Sequence, residues 1–304
     1  MPQLSDTPHE LPPPTPLNNF MFAASFQSAD ATTSAMSLIN AVLLNAGRSP
    51  LEIIDELNCE QVLLGDGRKL RGCRLDLAVR EGNHHFNLEA QLASLQHMAD
   101  RMVFNSNRIL SHNTFSGTKY ENLPNITVIS IMNFSFRDYH PDYHQPFGLF
   151  YEKDPERVTD KFDYHMLEMP KFRHLKLDIT NPLHRWLYYL DSGYKEPENP
   201  IIKEAFQMDQ GLYQFALQYQ HNVSDPRTLD AYYCYMMECM DELDRIDTAE
   251  AKGRAEGHIE GRVEGQAAII RAMMKAMSIA DISKVTGLTH EEIEHLATKD
   301  LYNL

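Results

Sequence analysis

Two short runs, Arg74-Leu-Asp-Leu-Ala-Val-Arg80 and His85-Phe-Asn-Leu-Glu-Ala-Gln91, flank the sequence Glu81-Gly82-Asn83-His84. Gly82-Asn83 reads as a two-residue hairpin turn, because glycine at the first central position suits a type II′ turn. With that turn Glu81 faces His84, Ala78 faces Asn87, Asp76 faces Glu89 and Arg74 faces Gln91. Period-two alternation then sets Leu75, Leu77, Val79, Phe86, Leu88 and Leu92 on an apolar face, and Asp76, Asn87, Glu89 and Gln91 on the other. Like charges directly opposed in a sheet are destabilising, so the carboxylates call for a cation, a shared proton or full solvation. A hard divalent cation takes oxygen ligands, and Mg²⁺ commonly uses one or two carboxylates while keeping waters. Asp76 and Glu89 are therefore candidate ligands of Mg²⁺ (or Mn²⁺), an ion that acidifies water and stabilises charge on a phosphodiester under attack. A polar hairpin face wetted by solvent accounts for the same alternation.

The elements around this hairpin read as an α/β core. Ser28 or Asp30 caps a helix with Met36, Ile39, Val42, Leu43 and Ala46 at helical spacing, stopped by Gly47 and Pro50. Residues 51–64 have mixed strand character and end at a Gly65-Asp66-Gly67 turn before the hairpin. A long helix is expected near Leu95 to Phe115, then a nearly continuous β-branched and apolar run from Asn125 to Phe134, typical of a strand covered on both faces. A helix feeding such a strand implies a crossover and a mixed sheet. Phe147–Tyr151 and Tyr164–Met169 add further strands; Pro182–Leu190 and Glu204–Met240 read as helices.

At 304 residues the chain buries a sizeable core without staples, and Cys59, Cys73, Cys234 and Cys239 form no CxxC pair, as expected of reduced thiols in the cytoplasm. No apolar run approaches a membrane span. Residues 1–16, rich in proline, read as a solvated tail. A net charge of −15 argues against indiscriminate coating of nucleic acid, yet permits a nuclease whose cations gather at one cleft.

Beyond Ala249, Gly253, Gly257, Gly261 and Gly265 recur every four residues in a helical context, where glycine permits close approach of a second backbone. After them come a helix through Met277, a short helix Ile279–Val285, a Gly287 turn, and a helix from Thr289 with Glu292 in capping-box spacing. This module has helix-turn-helix character, but Glu291, Glu292 and Glu294 on its third helix favour oligomerisation or packing over phosphate contact. Asp138-Tyr-His140 and Asp142-Tyr-His144 repeat one tripeptide that returns at Asp163-Tyr-His165; His and Asp suit a transition metal, but with Pro141 and Pro146 breaking the first segment an irregular surface loop with aromatic anchors suits it better. No phosphate-cradling loop or nucleophile elbow is present.

The order of these pieces resembles the recombination-promoting nuclease and transposase-like family, a branch of the PD-(D/E)xK nuclease superfamily. The resemblance runs from Phe20 to Leu296 through Leu38-Ile-Asn-Ala-Val42, Leu75-Asp76, Leu88-Glu-Ala-Gln91, Arg101 and Arg108, Tyr120–Pro124, Leu167-Glu-Met-Pro-Lys-Phe172, the Glu-Gly repeats and Val285-Thr-Gly-Leu288 with Glu292-Ile293. It implies a restriction-endonuclease-like α/β core with a mixed central sheet flanked by helices, plus a C-terminal helical module. It also implies metal-dependent hydrolysis of DNA, with Asp76 and Glu89 as metal ligands and Gln91 where the superfamily usually has a catalytic lysine. An amide orients water but carries no charge. Arg101 is the candidate phosphate contact or transition-state cation, or else pairs with Glu89. Asn105 stands where the family more often has tyrosine, and Asn19 where an acid is common. The resulting domain expectation is a tail at 1–18, a nuclease domain at 19–195, a helical extension at 196–248, and a Gly-repeat helix with its module at 249–304, with DNA as partner and homo-oligomers formed through the C-terminal helices. The competing reading is a catalytically degenerate nuclease fold acting as an oligomeric interaction module.

Overall fold

In a computed structural model of the chain, residues 11–63, 73–92, 97–136, 140–153 and 156–298 are described. The expected Gly65-Asp66-Gly67 turn, the helix start near Leu95, and Asp138-Tyr139 lie outside the described residues. Contacts divide the chain into two units, Met1–Tyr235 and Met236–Leu304.

The first unit is built on six strands: β1 (Glu56–Leu63), β2 (Cys73–Glu81), β3 (His84–Gln91), β4 (Asn125–Met132), β5 (His144–Gly148) and β6 (Phe162–Glu168), in the order β1-β2-β3-β4-β6-β5. The β1–β2, β2–β3 and β5–β6 pairs are antiparallel, while β3–β4 and β4–β6 are parallel. Antiparallel neighbours need only a turn, and Gly82 supplies one with φ +55°, a left-handed value that glycine adopts without a Cβ penalty. A parallel pair needs a crossover, which α3 (Met98–His112) provides between β3 and β4.

Helices cover both faces, which is why β4 is apolar on each side. On one face Leu77, Val79, Phe86, Leu88, Ala90, Ile129, Ile131 and Leu167 share a core with residues of α1 (Asn19–Ala24), α2 (Ala31–Asn45), α5 (Pro182–Asp191), α6 (Pro200–Met208) and α7 (Gln210–Ser224). On the other, Ile126, Val128, Met132, Tyr164 and Met166 pack with Met98, Met102 and Ile109 of α3. The short helix α4 (Met169–Phe172) follows β6 directly.

The helix expected over Glu204–Met240 is three: α6, α7 and α8 (Pro226–Met273). Asp209 and Asp225 break the run, since each carboxylate accepts from a backbone N–H of the following helix, Leu212 or Thr228. Helices α2 and α7 meet closely at Gly211, where an added Cβ would stand 2.4 Å from Ser37 Cβ and 2.6 Å from the Thr33 carbonyl oxygen. Where composition suggested a solvated tail, Leu17 is buried, Tyr219 donates to the Pro14 carbonyl, and Tyr232 donates to those of Pro12 and Pro13. Polyproline backbone leaves its carbonyls unpaired internally, so they are available to these hydroxyls.

In the second unit Ile270 at the end of α8, Ile282 of α9 (Ile279–Thr286) and Ile293 of α10 (His290–Thr298) form a small core. Thr289 and Glu292 exchange hydrogen bonds as a capping box, and Gly287 ends α9 at φ +75°. Among the described residues no helix is long and apolar enough to cross a membrane.

Candidate active site

The hairpin register is that expected from the turn: Glu81 pairs with His84, Ala78 with Asn87 and Leu77 with Leu88. Beyond Leu77 the pattern changes. Leu75 joins the α3-side core, while Leu77 and Val79 lie in the opposite one, so Leu75 departs from the shared apolar face expected of it. Asp76, at this change of face, places its Oδ2 on the Ala90 backbone N–H at 3.2 Å and on Asn19 Nδ2 at 3.4 Å. Two like charges gain nothing by facing each other, and a backbone N–H beside Glu89 gives the Asp76 carboxylate a donor. The Asp76 carboxylate therefore sits against the residue that follows Glu89, at the end of the sheet where β3, β4 and β6 finish.

Glu89 is completely buried beneath α3. Its Oε1 accepts from Asn87 Nδ2 at 2.8 Å and from Asn105 Nδ2 at 2.5 Å. Its Oε2 makes no hydrogen bond among the described residues, and Arg101 Nε lies 3.6 Å away as an ion-pair partner. The α3 periodicity explains these contacts: Met98, Met102, Asn105 and Ile109 recur at three and four residues on its buried face, with Arg101 at its edge. Gln91 is partly buried, and its Oε1 has no partner among the described residues. Thus Glu89, Arg101, Asn105 and Asn87 meet directly, Asp76 approaches through the Ala90 N–H next to Glu89, and Gln91 lies two residues along the same strand. Asn19 and Asn105, noted in the sequence as departures from the family pattern, each touch a carboxylate, Asn19 that of Asp76 and Asn105, together with Asn87, that of Glu89.

The chemistry of this donor set fits a hard divalent cation. Besides the two carboxylates, it includes the Asn87 and Gln91 amide oxygens, which make no hydrogen bond among the described residues, where Glu89 is touched by amide Nδ2 groups and a guanidinium and by neither thiol nor imidazole. Among the described residues no three His, Cys, Asp or Glu side chains gather closely enough to hold a metal alone. Asp76 and Glu89 are the carboxylates of this cluster that could hold such a cation.

Glu168 closes the same strand ends. It is buried at the end of β6, accepts from the Phe136 backbone N–H at 3.1 Å and from Gln145, and pairs with Lys171 Nζ at 2.8 Å. These partners tie the segment after β4, β5 and α4 together.

Two of the Asp-Tyr-His repeats meet elsewhere: Asp142 and Tyr143 precede β5 and His144 begins it, while Asp163-Tyr-His165 lies within β6. His144 Nε2 lies 3.0 Å from His165 Nδ1, whose other nitrogen is 3.4 Å from Asp163 Oδ2. Burial, reinforced by His165, lowers the His144 pKa to about 3. Burial pushes Asp163 upward, but the His165 ring and hydrogen bonds from Arg48 and Arg157 override it and hold the carboxyl well below its ordinary range. Arg48, Arg157 and Asp163 line a cavity of about 330 Å³ with His84 and Thr127. Asp163 engages both of these arginines.

A six-stranded mixed sheet between helices, with its polar cluster at the ends of the parallel strands, is a restriction-endonuclease-like fold. The model of the PD-(D/E)XK nuclease family transposase matches residues 16–249, and the chain belongs to that family. The family gives it a nuclease or transposase-like function and, with that, DNA as the macromolecule bound. Neither the curated proteins nor the solved structures compared with the chain contain a match.

Proposed function

We propose that the chain is a divalent-metal-dependent DNA endonuclease that acts in recombination or the processing of mobile elements. The observation that carries this is a fully buried glutamate, Glu89, held by two amides through one oxygen while its other accepts no hydrogen bond among the described residues and has the Arg101 guanidinium 3.6 Å away. A buried carboxylate is costly unless a cation or donors satisfy it, and an oxygen without a hydrogen bond, only loosely paired with Arg101, is where a metal cation is best accommodated.

In this reading Asp76 and Glu89 hold Mg²⁺ or Mn²⁺, which when bound supplies Lewis-acid stabilisation of the phosphodiester and acidifies the attacking water. Gln91 orients that water through its amide. Arg101, more than one-third exposed and only loosely tied to Glu89, supplies the positive charge that an amide lacks and contacts phosphate. Asn87 and Asn105 fix the Glu89 rotamer, so that Oε2 is the oxygen presented.

The test is cleavage of supercoiled plasmid in Mg²⁺ or Mn²⁺ by the parent, Asp76→Ala and Glu89→Ala, purified identically. Cleavage by the parent alone supports the assignment. Equal cleavage by Asp76→Ala sinks it, and inactivity of the parent with every metal turns the reading to a degenerate fold serving as an interaction module.

A second copy of the chain is the proposed partner of α8. Every residue from Asp241 to Arg262 is exposed, and a Cβ built on Gly253, Gly257, Gly261 or Gly265 meets nothing within 4 Å among the described residues. Each glycine costs a helix about 1 kcal/mol relative to alanine. Glu256, Glu260 and Glu264 flank this row on one side, with Arg254, His258 and Arg262 on the other. A parallel two-fold pair sets the acidic flank of one helix against the basic flank of its mate. Light scattering should give a dimer mass or higher, reduced by Gly257→Leu; a monomer at micromolar concentration refutes it.

A further inference from the structure

Three more oxygens on β3 and β4 share the condition of Glu89 Oε2. Asn87 Oδ1, Gln91 Oε1 and Ser130 Oγ are buried and make no hydrogen bond among the described residues. Asn87, Glu89 and Gln91 are alternate residues of β3 and so lie on one face of the sheet. Ser130 is the register partner of Glu89 on the parallel neighbour β4. It shares the face of Val128 and Met132, whose side chains pack under α3, the helix that also covers Glu89. Ser130 is itself completely buried.

Buried polar groups are satisfied almost without exception, and here four unsatisfied oxygens fall on adjacent positions of two paired strands. Other such atoms, among them Thr15 Oγ1, Ser28 Oγ and Tyr189 Oη, lie elsewhere in the chain, whereas these four share one face of two paired strands. Their common chemistry is hard and oxygen-based, and two are amide carbonyls, one a carboxylate, one a hydroxyl. A hydroxyl or amide oxygen adds a neutral ligand to a cation whose charge two carboxylates already balance.

We propose that Ser130 is a further residue of the divalent-cation site, its Oγ supplying a neutral oxygen to the ion held by Asp76 and Glu89. This rests on the metal-dependent reading above and extends the site from the hairpin to the central strand. Serine here also explains why a hydroxyl interrupts the apolar run Val128-Ile-Ser-Ile-Met132, where alanine would pack without leaving a polar atom unsatisfied.

The experiment is direct Mn²⁺ and Cd²⁺ binding to the full chain, by titration calorimetry and by the electron paramagnetic resonance of free Mn²⁺, for the parent, Ser130→Ala and Ser130→Cys. Loss of an oxygen near a metal weakens binding by about tenfold or more, so Ser130→Ala should bind Mn²⁺ at least about tenfold less tightly. Sulfur is soft, so Ser130→Cys should lose Mn²⁺ affinity while gaining Cd²⁺ affinity over the parent, whose own cysteines set the background. A purely structural serine shifts neither metal selectively. Parent-like Mn²⁺ affinity in both variants, with an unchanged Cd²⁺ to Mn²⁺ preference, overturns the role of Ser130 and leaves the Asp76–Glu89 reading standing. A parent that binds no Mn²⁺ overturns both at once.

Discussion

Asn105 Nδ2 donates to Glu89 Oε1 at 2.5 Å, so the middle of α3 is pinned to a carboxylate at the end of β3. Both side chains are buried, and hydrogen bonds to charged groups contribute roughly 1.5–3 kcal/mol. Asn105→Ala should therefore lower the unfolding free energy by about 2 kcal/mol in a urea titration. A change under about 0.5 kcal/mol would mean that water replaces the amide without loss.

Arg101 separates two roles that its position allows. Its ion pair with Glu89 is 3.6 Å long and its side chain is 37% exposed, a geometry that contributes at most about 1 kcal/mol to stability. Arg101→Ala should leave the melting temperature within a few degrees, while DNA cleavage falls by roughly 100-fold if the guanidinium meets phosphate in the transition state. Unchanged cleavage assigns Arg101 to structure alone.

Acid should destabilise the first unit from near-neutral pH. Burial lowers His84 from 6.5 to about 4, with the nearby Glu81 and Asp163 charges only partly opposing it, and His144 falls to about 3. Both rings are neutral when folded and bind a proton more readily when unfolded. Their stability contribution is complete above the unfolded value of 6.5 and declines as pH falls toward 4 and then 3, by roughly 1 kcal/mol per pH unit for each ring. Urea midpoints at pH 7, 6 and 5 should fall in that order, and His84→Gln should flatten the slope. A flat profile in the parent contradicts the buried neutral histidines.

Gly211→Ala should destabilise by about 1–3 kcal/mol, the range for overpacking a filled core. The new methyl would meet the Thr33 carbonyl oxygen and Ser37 Cβ, both on α2 and neither able to swing aside as a long side chain does. Trp186 Nε1 donates to Ser37 Oγ, which in turn donates to Asp209, so a shift of α2 also strains this buried chain. Thermal unfolding measures the effect. A melting temperature equal to the parent's would show that α2 and α7 separate freely.

Much of the framework was legible because short-range rules govern it. Gly82-Asn83 fixed the hairpin register, the apolar run from Asn125 marked the doubly covered strand, and Thr289 with Glu292 announced a helix start. Helix α1 escaped, because its short apolar run carries no length or periodicity signal; the Asn18 carboxamide oxygen accepting from the Phe20 and Met21 N–H groups is what begins it. The breaks at Asp209 and Asp225 lie inside a continuous helical pattern, where one aspartate reads equally as an exposed helical residue or as a cap.

The sequence by itself determined the hairpin and its turn, because alternation along a strand and turn geometry are properties of the backbone, and it singled out Asp76 and Glu89 as candidates. It also carried the family, through the order of many weak motifs. Only the tertiary structure decided what surrounds each carboxylate. Asn19, Asn105 and Ser130 reach the site from α1, α3 and β4, elements distant in sequence from the hairpin that crossover packing brings to one sheet end. No local pattern records that convergence, since hydrogen bonds between distant side chains depend on how whole helices settle on the sheet. The same holds for His144 and His165: a repeated tripeptide read as a surface feature becomes a buried pair because β5 and β6 lie side by side.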